Sequence, residues 1–104
     1  MHKNNLYGVR LKEARKIAGL SQAALGVLAG FDEFSASARM SQYETGKHLP
    51  DIGTALRLAA SLKIPLAYFF CMEDDLAEFI RLHHRLKKDQ KQAVLNLLKT
   101  LVNN

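Results

Sequence analysis

Apolar residues recur every three or four positions along most of the chain, which is the spacing that one face of an α-helix produces. No alternating run of β-branched residues interrupts this pattern. The pattern predicts an all-α fold, with five helices in the first two-thirds of the chain and two more after them. The inward positions predicted for the first five helices are Tyr7, Leu11, Ala14 and Ala18; Leu25, Leu28 and Ala29; Met40 and Tyr43; Ile52, Ala55, Leu56, Ala59 and Leu62; and Leu66, Phe69 and Phe70.

Residues that favour helix ends mark the boundaries of these elements. Gly19 and Gly30 suit the left-handed position that follows a helix, so we expect them to end the first and second helices. Ser21 and Asp51 are expected to cap the second and fourth helices, because their side-chain oxygens can accept from free backbone N–H groups.

The last two helices form a distinct C-terminal segment. Asp74 and Asp75 fall in the first turn of the sixth helix, where carboxylates suit the helix dipole. Asp89 is expected to start the seventh helix, with Gln92 three residues on, as in a capping box. Their apolar stripes are Leu76, Phe79, Ile80, His83 and Leu86 for the sixth helix, and Val94, Leu97, Leu98 and Leu101, flanked by Leu95 and Val102, for the seventh.

These stripes carry more apolar surface than a peripheral hairpin needs, which indicates a partner chain. We therefore predict a domain of residues 1–72 and a C-terminal helical extension of residues 73–104 that pairs two chains. The length of 104 residues suits one common-sized domain core and is too short for two independent cores.

The composition points to a soluble protein with a polyanionic partner. Fifteen Lys and Arg against ten Asp and Glu give a net charge of +5, which favours nucleic acid as a partner. The single cysteine, Cys71, cannot form an internal disulfide and lies among apolar neighbours, so a buried inert thiol in a reducing compartment is expected. The N-terminal "MHKNNLYGVR" lacks the apolar stretch of a signal peptide, and no run is long enough to span a membrane. A cytoplasmic location is expected.

No arrangement of residues typical of an enzyme is present in the sequence. There is no phosphate-binding glycine loop, catalytic triad pattern or paired carboxylates. His83 and His84 are adjacent, so they face different sides of a helix and are poorly placed to share a metal ion. We expect no cofactor, no metal and no catalysis. The basic run "RLHHRLKKDQKQ" is either a solvated turn or a second nucleic-acid contact.

Several short motifs coincide in order and spacing between Leu6 and Phe70. They are "LSQ" opening the second helix, "YETG" closing the third, a proline four residues after that glycine, and "LRLAASLKIPL". Together they closely resemble the repressor-type helix-turn-helix family of DNA-binding proteins (phage repressors and XRE-like regulators). The resemblance covers about two-thirds of the chain and implies a five-helix DNA-binding domain whose third helix enters the major groove.

The resemblance also implies which residues contact double-stranded DNA. The base-facing positions are Ser37, Ala38, Arg39 and Gln42. Arginine can bond guanine O6 and N7 with two parallel donors, glutamine can pair with adenine, serine can contact any base, and an alanine methyl can touch a thymine methyl. The phosphate-contacting positions are Ser21, Gln22, Thr45, Lys47 and His48, and for Ser21 a purely structural role as the helix cap is the alternative.

Two further matching positions, Arg15 and Glu44, correspond to a partly buried ion pair that ties the first helix to the third. This role is structural.

The chain departs from the family between the second and third helices. Thirteen residues run from Phe31 to Tyr43, which is longer than usual in the family and enlarges the turn at "GFDEF". Its two aromatic residues, Phe31 and Phe34, are expected to plug the edge of the core, with the acidic pair between them facing solvent. Either Ser35 or Ser37 can then cap the start of the third helix.

The expected function is that of a sequence-specific transcriptional regulator, in particular a repressor, that binds a palindromic operator as a homodimer. The alternative is an antitoxin or adaptor that uses the same fold chiefly to hold a protein partner through its C-terminal helices.

Overall fold

Six α-helices and one 3-10 helix account for most of residues 5–103, the part of the chain that the computed structural model describes. Residue 104 and the first four residues of the N-terminal segment "MHKNNLYGVR" lie outside that range. No strand occurs within it, so the predicted all-α class is confirmed. The elements are α1 (Leu6–Ile17), α2 (Gln22–Leu28), α3 (Ala36–Glu44), α4 (Ile52–Leu62), the 3-10 helix (Leu66–Phe70), α5 (Asp74–His84) and α6 (Lys88–Val102).

The predicted caps of α2 and α4 are confirmed by their hydrogen bonds. The Ser21 hydroxyl oxygen accepts from the backbone N–H of Ala24 at 3.0 Å, and the Asp51 carboxylate accepts from that of Thr54 at 2.7 Å. Gly19, directly after the last residue of α1 and its cap, has a φ of 72°, which a side chain would disfavour. The first two helices are therefore separated by only a tight turn.

The start of α6 differs from the prediction. The helix begins at Lys88 rather than Asp89, and the reciprocal contact at its N-terminus comes from Gln90. The Gln90 side chain accepts from the backbone N–H of Lys87 at 2.9 Å, whereas Gln92 donates along the helix to Asn96 at 3.0 Å. The capping pattern thus lies two residues earlier than we expected, because the chain turns at Lys87 and not at Asp89.

The core lies where α1, α3 and the 3-10 helix meet, and it continues between α2, α3 and α4. Its larger buried side chains are Tyr7, Leu11, Leu25, Phe31, Met40, Tyr43, Leu58, Leu62, Ile64, Tyr68 and Phe69. Most of the predicted inward positions belong to this set or to the small residues around it.

Five predicted inward residues are exposed instead: Ala18, Leu28, Ile52, Leu56 and Phe70. Ala18 caps α1 beyond its packed face, and Leu28 occupies the last position of α2. The helix α4 is apolar on more than one side, so its sequence allows two stripes, and the side that carries Leu58 faces the core.

A buried arginine that the sequence analysis missed links α1 to the start of α5. The side chain of Arg10 is only 2% exposed. Its guanidinium donates to the carbonyl oxygens of Cys71 at 2.9 Å and Met72 at 3.3 Å, and it forms ion pairs with Glu13 at 3.1 Å and Asp74 at 3.0 Å. Cys71, expected to be buried, is half-buried at this junction. The contacts of Arg10 fix where the C-terminal extension leaves the core.

The C-terminal helices are far less buried than the rest. In α5 only Ala77 is buried, and Ile80 is half-buried against the core, whereas Leu76 and Phe79 of the predicted stripe are exposed. None of the fifteen residues of α6 is buried. The described part of the chain is accordingly elongated, with extents of 53 × 28 × 23 Å. Within residues 5–103, no helix has the length and apolar character needed to cross a bilayer.

Candidate nucleic-acid interface

Helix α3 has one buried face and one polar face. Ala36, Met40, Tyr43 and Glu44 are buried, as predicted for Met40 and Tyr43. The opposite side of the helix carries Ser37, Ala38, Ser41, Gln42 and Thr45, of which Ser41 and Gln42 are half-buried and the others exposed. Ser41 was not among the predicted contact residues, although its spacing of three residues from Ala38 and four from Thr45 places it on the same face.

The start of α3 is settled by the structure. The helix begins at Ala36, so Ser35 holds the capping position and Ser37 lies within the first turn. Ser35 does not cap with its side chain; its hydroxyl donates instead to the Asp32 carbonyl oxygen at 3.4 Å. Of the two starts that the sequence left open, the earlier one is observed.

A glycine allows α2 and α3 to pack closely. A Cβ atom on Gly26 would lie 2.8 Å from the Cβ of Ala36 and 3.1 Å from a ring carbon of Phe31. Both distances are shorter than ordinary van der Waals contact. Any side chain at this position would therefore push the two helices apart and shift the polar face of α3.

An ion pair joins α1, α2 and α3 below that face. The Arg15 guanidinium donates to the two carboxylate oxygens of Glu44 at 2.6 and 3.1 Å and to the Leu20 carbonyl oxygen at 2.9 Å. The Gln22 amide donates to Glu44 as well, at 3.1 Å. The side chain of Glu44 is only 4% exposed. The hydrogen bonds that Arg15 donates to this carboxylate raise the pKa of Arg15. The carboxylate is thus almost fully satisfied within the protein.

Two of the residues expected to contact DNA are also bonded to each other. The Ser37 hydroxyl donates to the Gln22 amide oxygen at 3.4 Å, while the amide nitrogen of Gln22 is held by Glu44. This bond connects the first turn of α2 to the first turn of α3. It fixes the orientation of the amide at the edge of the polar face.

The loop after α3 is exposed and carries the other predicted phosphate contacts. The Thr45 hydroxyl donates back to the Ser41 carbonyl oxygen at 2.9 Å, and the backbone N–H of His48 donates to the Gln42 carbonyl oxygen at 3.2 Å. These bonds fold the loop against the end of α3, while the side chains of Lys47 and His48 remain exposed.

Arg39 adopts a geometry that the sequence did not predict. We expected its side chain to point outward, but its guanidinium carbon lies 3.9 Å from the centre of the Phe31 ring. One of its terminal nitrogens donates to the Tyr43 hydroxyl at 3.1 Å. Arg39 is therefore half-buried on the flank of α3, beside the enlarged turn.

The two aromatic residues of the enlarged turn have different environments. Phe31 is buried, as expected, with 5% of its surface exposed. Phe34 was expected to be buried too but is 90% exposed. The reason is local, because the Asp32 carboxylate accepts from the backbone N–H of Phe34 at 3.1 Å and turns the chain outward there. Asp32 and Glu33 face solvent, as expected.

Across residues 5–103, no group of three or more His, Cys, Asp or Glu side chains is arranged to hold a metal ion.

Two helices that pack closely across the turn joining them, the second with a polar face, define a helix-turn-helix fold. Residues 6–67 match the family described as "Helix-turn-helix domain", and the chain belongs to this family. Among solved structures it is similar to the crystal structure of the transcriptional regulator BswR, with 47% sequence identity and a TM-score of 0.88. That match covers 92% of this chain and 95% of the other.

No curated protein is a significant match to the chain. The family and the similar regulator both indicate a non-enzymatic protein, in agreement with the sequence analysis.

Proposed function

We propose that this protein is a sequence-specific DNA-binding transcriptional regulator of the repressor type, and that it binds a palindromic operator as a homodimer. The polar face of α3, fixed from below by the Arg15–Glu44 pair, is the observation that carries the proposal. The similarity to a transcriptional regulator over nearly the whole chain supports it. Occupying an operator is enough to exclude other proteins from it, so repression requires no further surface. Such a regulator would act in the cytoplasm.

In this proposal the face of α3 enters the major groove and contacts base edges. Gln42 suits the paired donor and acceptor of adenine, and Ala38 suits the methyl group of thymine. Ser37 and Ser41 can donate to or accept from any base. Arg39 is the guanine-contacting residue.

Phosphate contacts surround this face in the proposal. Lys47 and His48 are exposed in the loop that follows α3, next to Thr45, while Ser21 and Gln22 lie at the start of α2. Phosphate contacts orient the protein on the duplex without reading sequence. The net charge of +5 is consistent with binding that weakens as salt increases.

Sequencing of genomic DNA fragments retained by the purified protein tests this function. The parent should retain fragments that share a palindromic motif. The Gln42→Ala variant should lose the preference for one base pair in each half-site. The Lys47→Ala variant should instead bind all sequences more weakly to the same extent, and the slope of its log affinity against log salt concentration should fall by about one.

Lys63→Asn is a matched control for the loss of charge. Lys63 is exposed after the far end of α4 and has a φ of 56°, a conformation that asparagine tolerates. Its substitution should leave both the motif and the salt slope unchanged. Retention of no common motif by the parent would refute the DNA-binding proposal.

The unburied face of α6 supports pairing of two chains. An isolated helix of fifteen residues is marginal in water, and α6 buries no residue within the chain. Its exposed apolar side chains include Leu97, Leu98 and Leu101 on one side. Beside α6, a shallow depression of about 140 Å³ is lined mainly by apolar side chains of α5, α6 and the turn between them. A second copy would supply the missing contacts and place two α3 helices about 34 Å apart.

Light scattering over a range of concentrations tests the dimer. The parent should have twice the chain mass, and Leu97→Glu/Leu101→Glu should be monomeric. Gln92→Glu, which adds a charge on the opposite side of the same helix, should remain dimeric. A monomeric parent that co-purifies with a stoichiometric second protein, without salt-dependent DNA binding, would favour the adaptor or antitoxin alternative instead.

A further inference from the structure

We infer that Phe31 and Tyr43 are specificity-determining residues that position the Arg39 guanidinium to donate to guanine. This inference rests on the proposed DNA-binding function. Neither aromatic residue needs to touch DNA. Together they form a surface, here called the aromatic shelf, on which the guanidinium lies before DNA arrives.

The contacts of the shelf fix both the position and the orientation of the guanidinium. Its central carbon lies 3.9 Å from the centre of the Phe31 ring and 5.9 Å from that of Tyr43. The hydrogen bond of 3.1 Å to the Tyr43 hydroxyl prevents the planar group from turning freely over the ring. Stacking of a cation on an aromatic face is favourable, and it limits the many rotamers that an exposed arginine would otherwise sample.

Phe31 is itself held in place, so the shelf is rigid. Its backbone N–H donates to the Gly26 carbonyl oxygen at 2.8 Å, which anchors the enlarged turn to the end of α2. Its ring meets that of Tyr43 edge-on, with 6.2 Å between centres, and is 5% exposed. The enlarged turn thus supplies an aromatic ring at a fixed place beside α3.

The shelf leaves most of the donors of Arg39 available. A guanidinium has five N–H groups in one plane, and among residues 5–103 its only hydrogen bond from the side chain is the one to Tyr43. The remaining donors lie in the plane of the group, on its rim. Two parallel donors in a plane match guanine O6 and N7, a pair of adjacent acceptors that no other base presents in the major groove.

Holding the group in advance has a consequence for discrimination. If a preorganised arginine contacts guanine, less conformational freedom is lost on binding, and the cost of a wrong base at that position increases. Arg39→Ala should therefore lose about ten- to a hundredfold discrimination at one base pair of each half-site. Tyr43→Phe, which keeps the ring and removes only the hydrogen-bond acceptor, should lose about two- to tenfold there.

Selected-site sequencing with the full chain tests the shelf. The set comprises the parent, Arg39→Ala, Phe31→Leu and Tyr43→Phe, with thermal unfolding and affinity for unrelated DNA measured in parallel. Phe69→Leu is the matched control, because Phe69 is a fully buried aromatic residue of the core that does not form part of the shelf. It should be destabilised but keep the parent motif.

The expected result is that the guanine preference at one base pair disappears in Arg39→Ala and weakens in Phe31→Leu and Tyr43→Phe, while the other positions are unchanged. If Phe31→Leu does not fold, Tyr43→Phe alone decides. An unchanged motif in Tyr43→Phe and Phe31→Leu would overturn the role of the shelf while leaving the proposed function intact. A uniform loss of affinity in Arg39→Ala would also overturn it, because Arg39 would then contact phosphate. A parent with no motif would overturn both proposals.

Discussion

Removing the guanidinium of Arg15 should destabilise the protein strongly, because it would leave the Glu44 carboxylate buried without most of its donors. Glu44 is 4% exposed and accepts three hydrogen bonds, two of them from Arg15 and one from Gln22. Arg15→Met keeps the apolar stem that packs between the helices and removes only the charge and donors. A buried charge that loses its partner costs about 3–5 kcal/mol.

The structure provides a control with the same substitution and the same contact distance. Arg81 pairs with Glu78 at 2.6 Å, the distance that also separates Arg15 and Glu44, but Glu78 is 53% exposed. Water can solvate Glu78 after Arg81→Met, so that variant should lose no more than about 1 kcal/mol.

Urea unfolding followed by circular dichroism measures the free energy of unfolding of Arg15→Met and Arg81→Met. A domain of this size has about 5–15 kcal/mol of stability, so the predicted loss in Arg15→Met would shift the midpoint clearly. The double variant Arg15→Met/Glu44→Leu should lose about 2–3 kcal/mol less free energy of unfolding than Arg15→Met and Glu44→Leu lose when their separate losses are added. Equal losses in Arg15→Met and Arg81→Met would refute the argument that burial of the remaining carboxylate determines the cost.

Two further predictions concern α4 and the contact between α2 and α3. The backbone N–H of Thr54 holds the pKa of Asp51 below its ordinary value of 3.8, so this carboxylate stabilises the fold above that pH and the contribution is lost as pH falls through the lower folded pKa. Asparagine at position 51 can still cap α4 but does not titrate. The urea unfolding midpoint of Asp51→Asn should therefore fall less than that of the parent between about pH 5 and pH 2. Gly26→Ala should lower the free energy of unfolding by about 1–3 kcal/mol because the added methyl group meets Ala36. Gly53→Ala, where the nearest atoms are 3.7 Å away, should be neutral or stabilising; an equal loss in both alanine variants would contradict the packing argument.

The fold was predictable from sequence wherever a helix has one clearly apolar side. The period of α1 identifies Tyr7, Leu11 and Ala14 as buried, and that of α3 identifies Met40 and Tyr43. In α4 the pattern is ambiguous, because apolar residues surround the helix and only tertiary packing selects which side is buried.

The candidate site was less predictable because it depends on contacts between distant residues. The polar face of α3 follows from helical spacing and from the family resemblance. The position of the Arg39 guanidinium does not, since nothing in the residues near Arg39 indicates that a ring eight positions earlier lies under it. The burial of Arg10 was missed for the same reason, as its partners Cys71 and Met72 are more than sixty residues away.

The link made by Arg10 has a consequence for the kind of operator that a dimer could accept. It joins the start of α5 directly to α1, so the extension proposed to pair two chains leaves the DNA-binding body at a fixed angle rather than through a flexible linker. One base pair inserted between half-sites moves one of them by about 3.4 Å and rotates it by roughly 35° about the duplex axis. A rigidly joined pair of recognition helices cannot follow that rotation. Operators of this protein should therefore tolerate changes of base far better than changes of spacing.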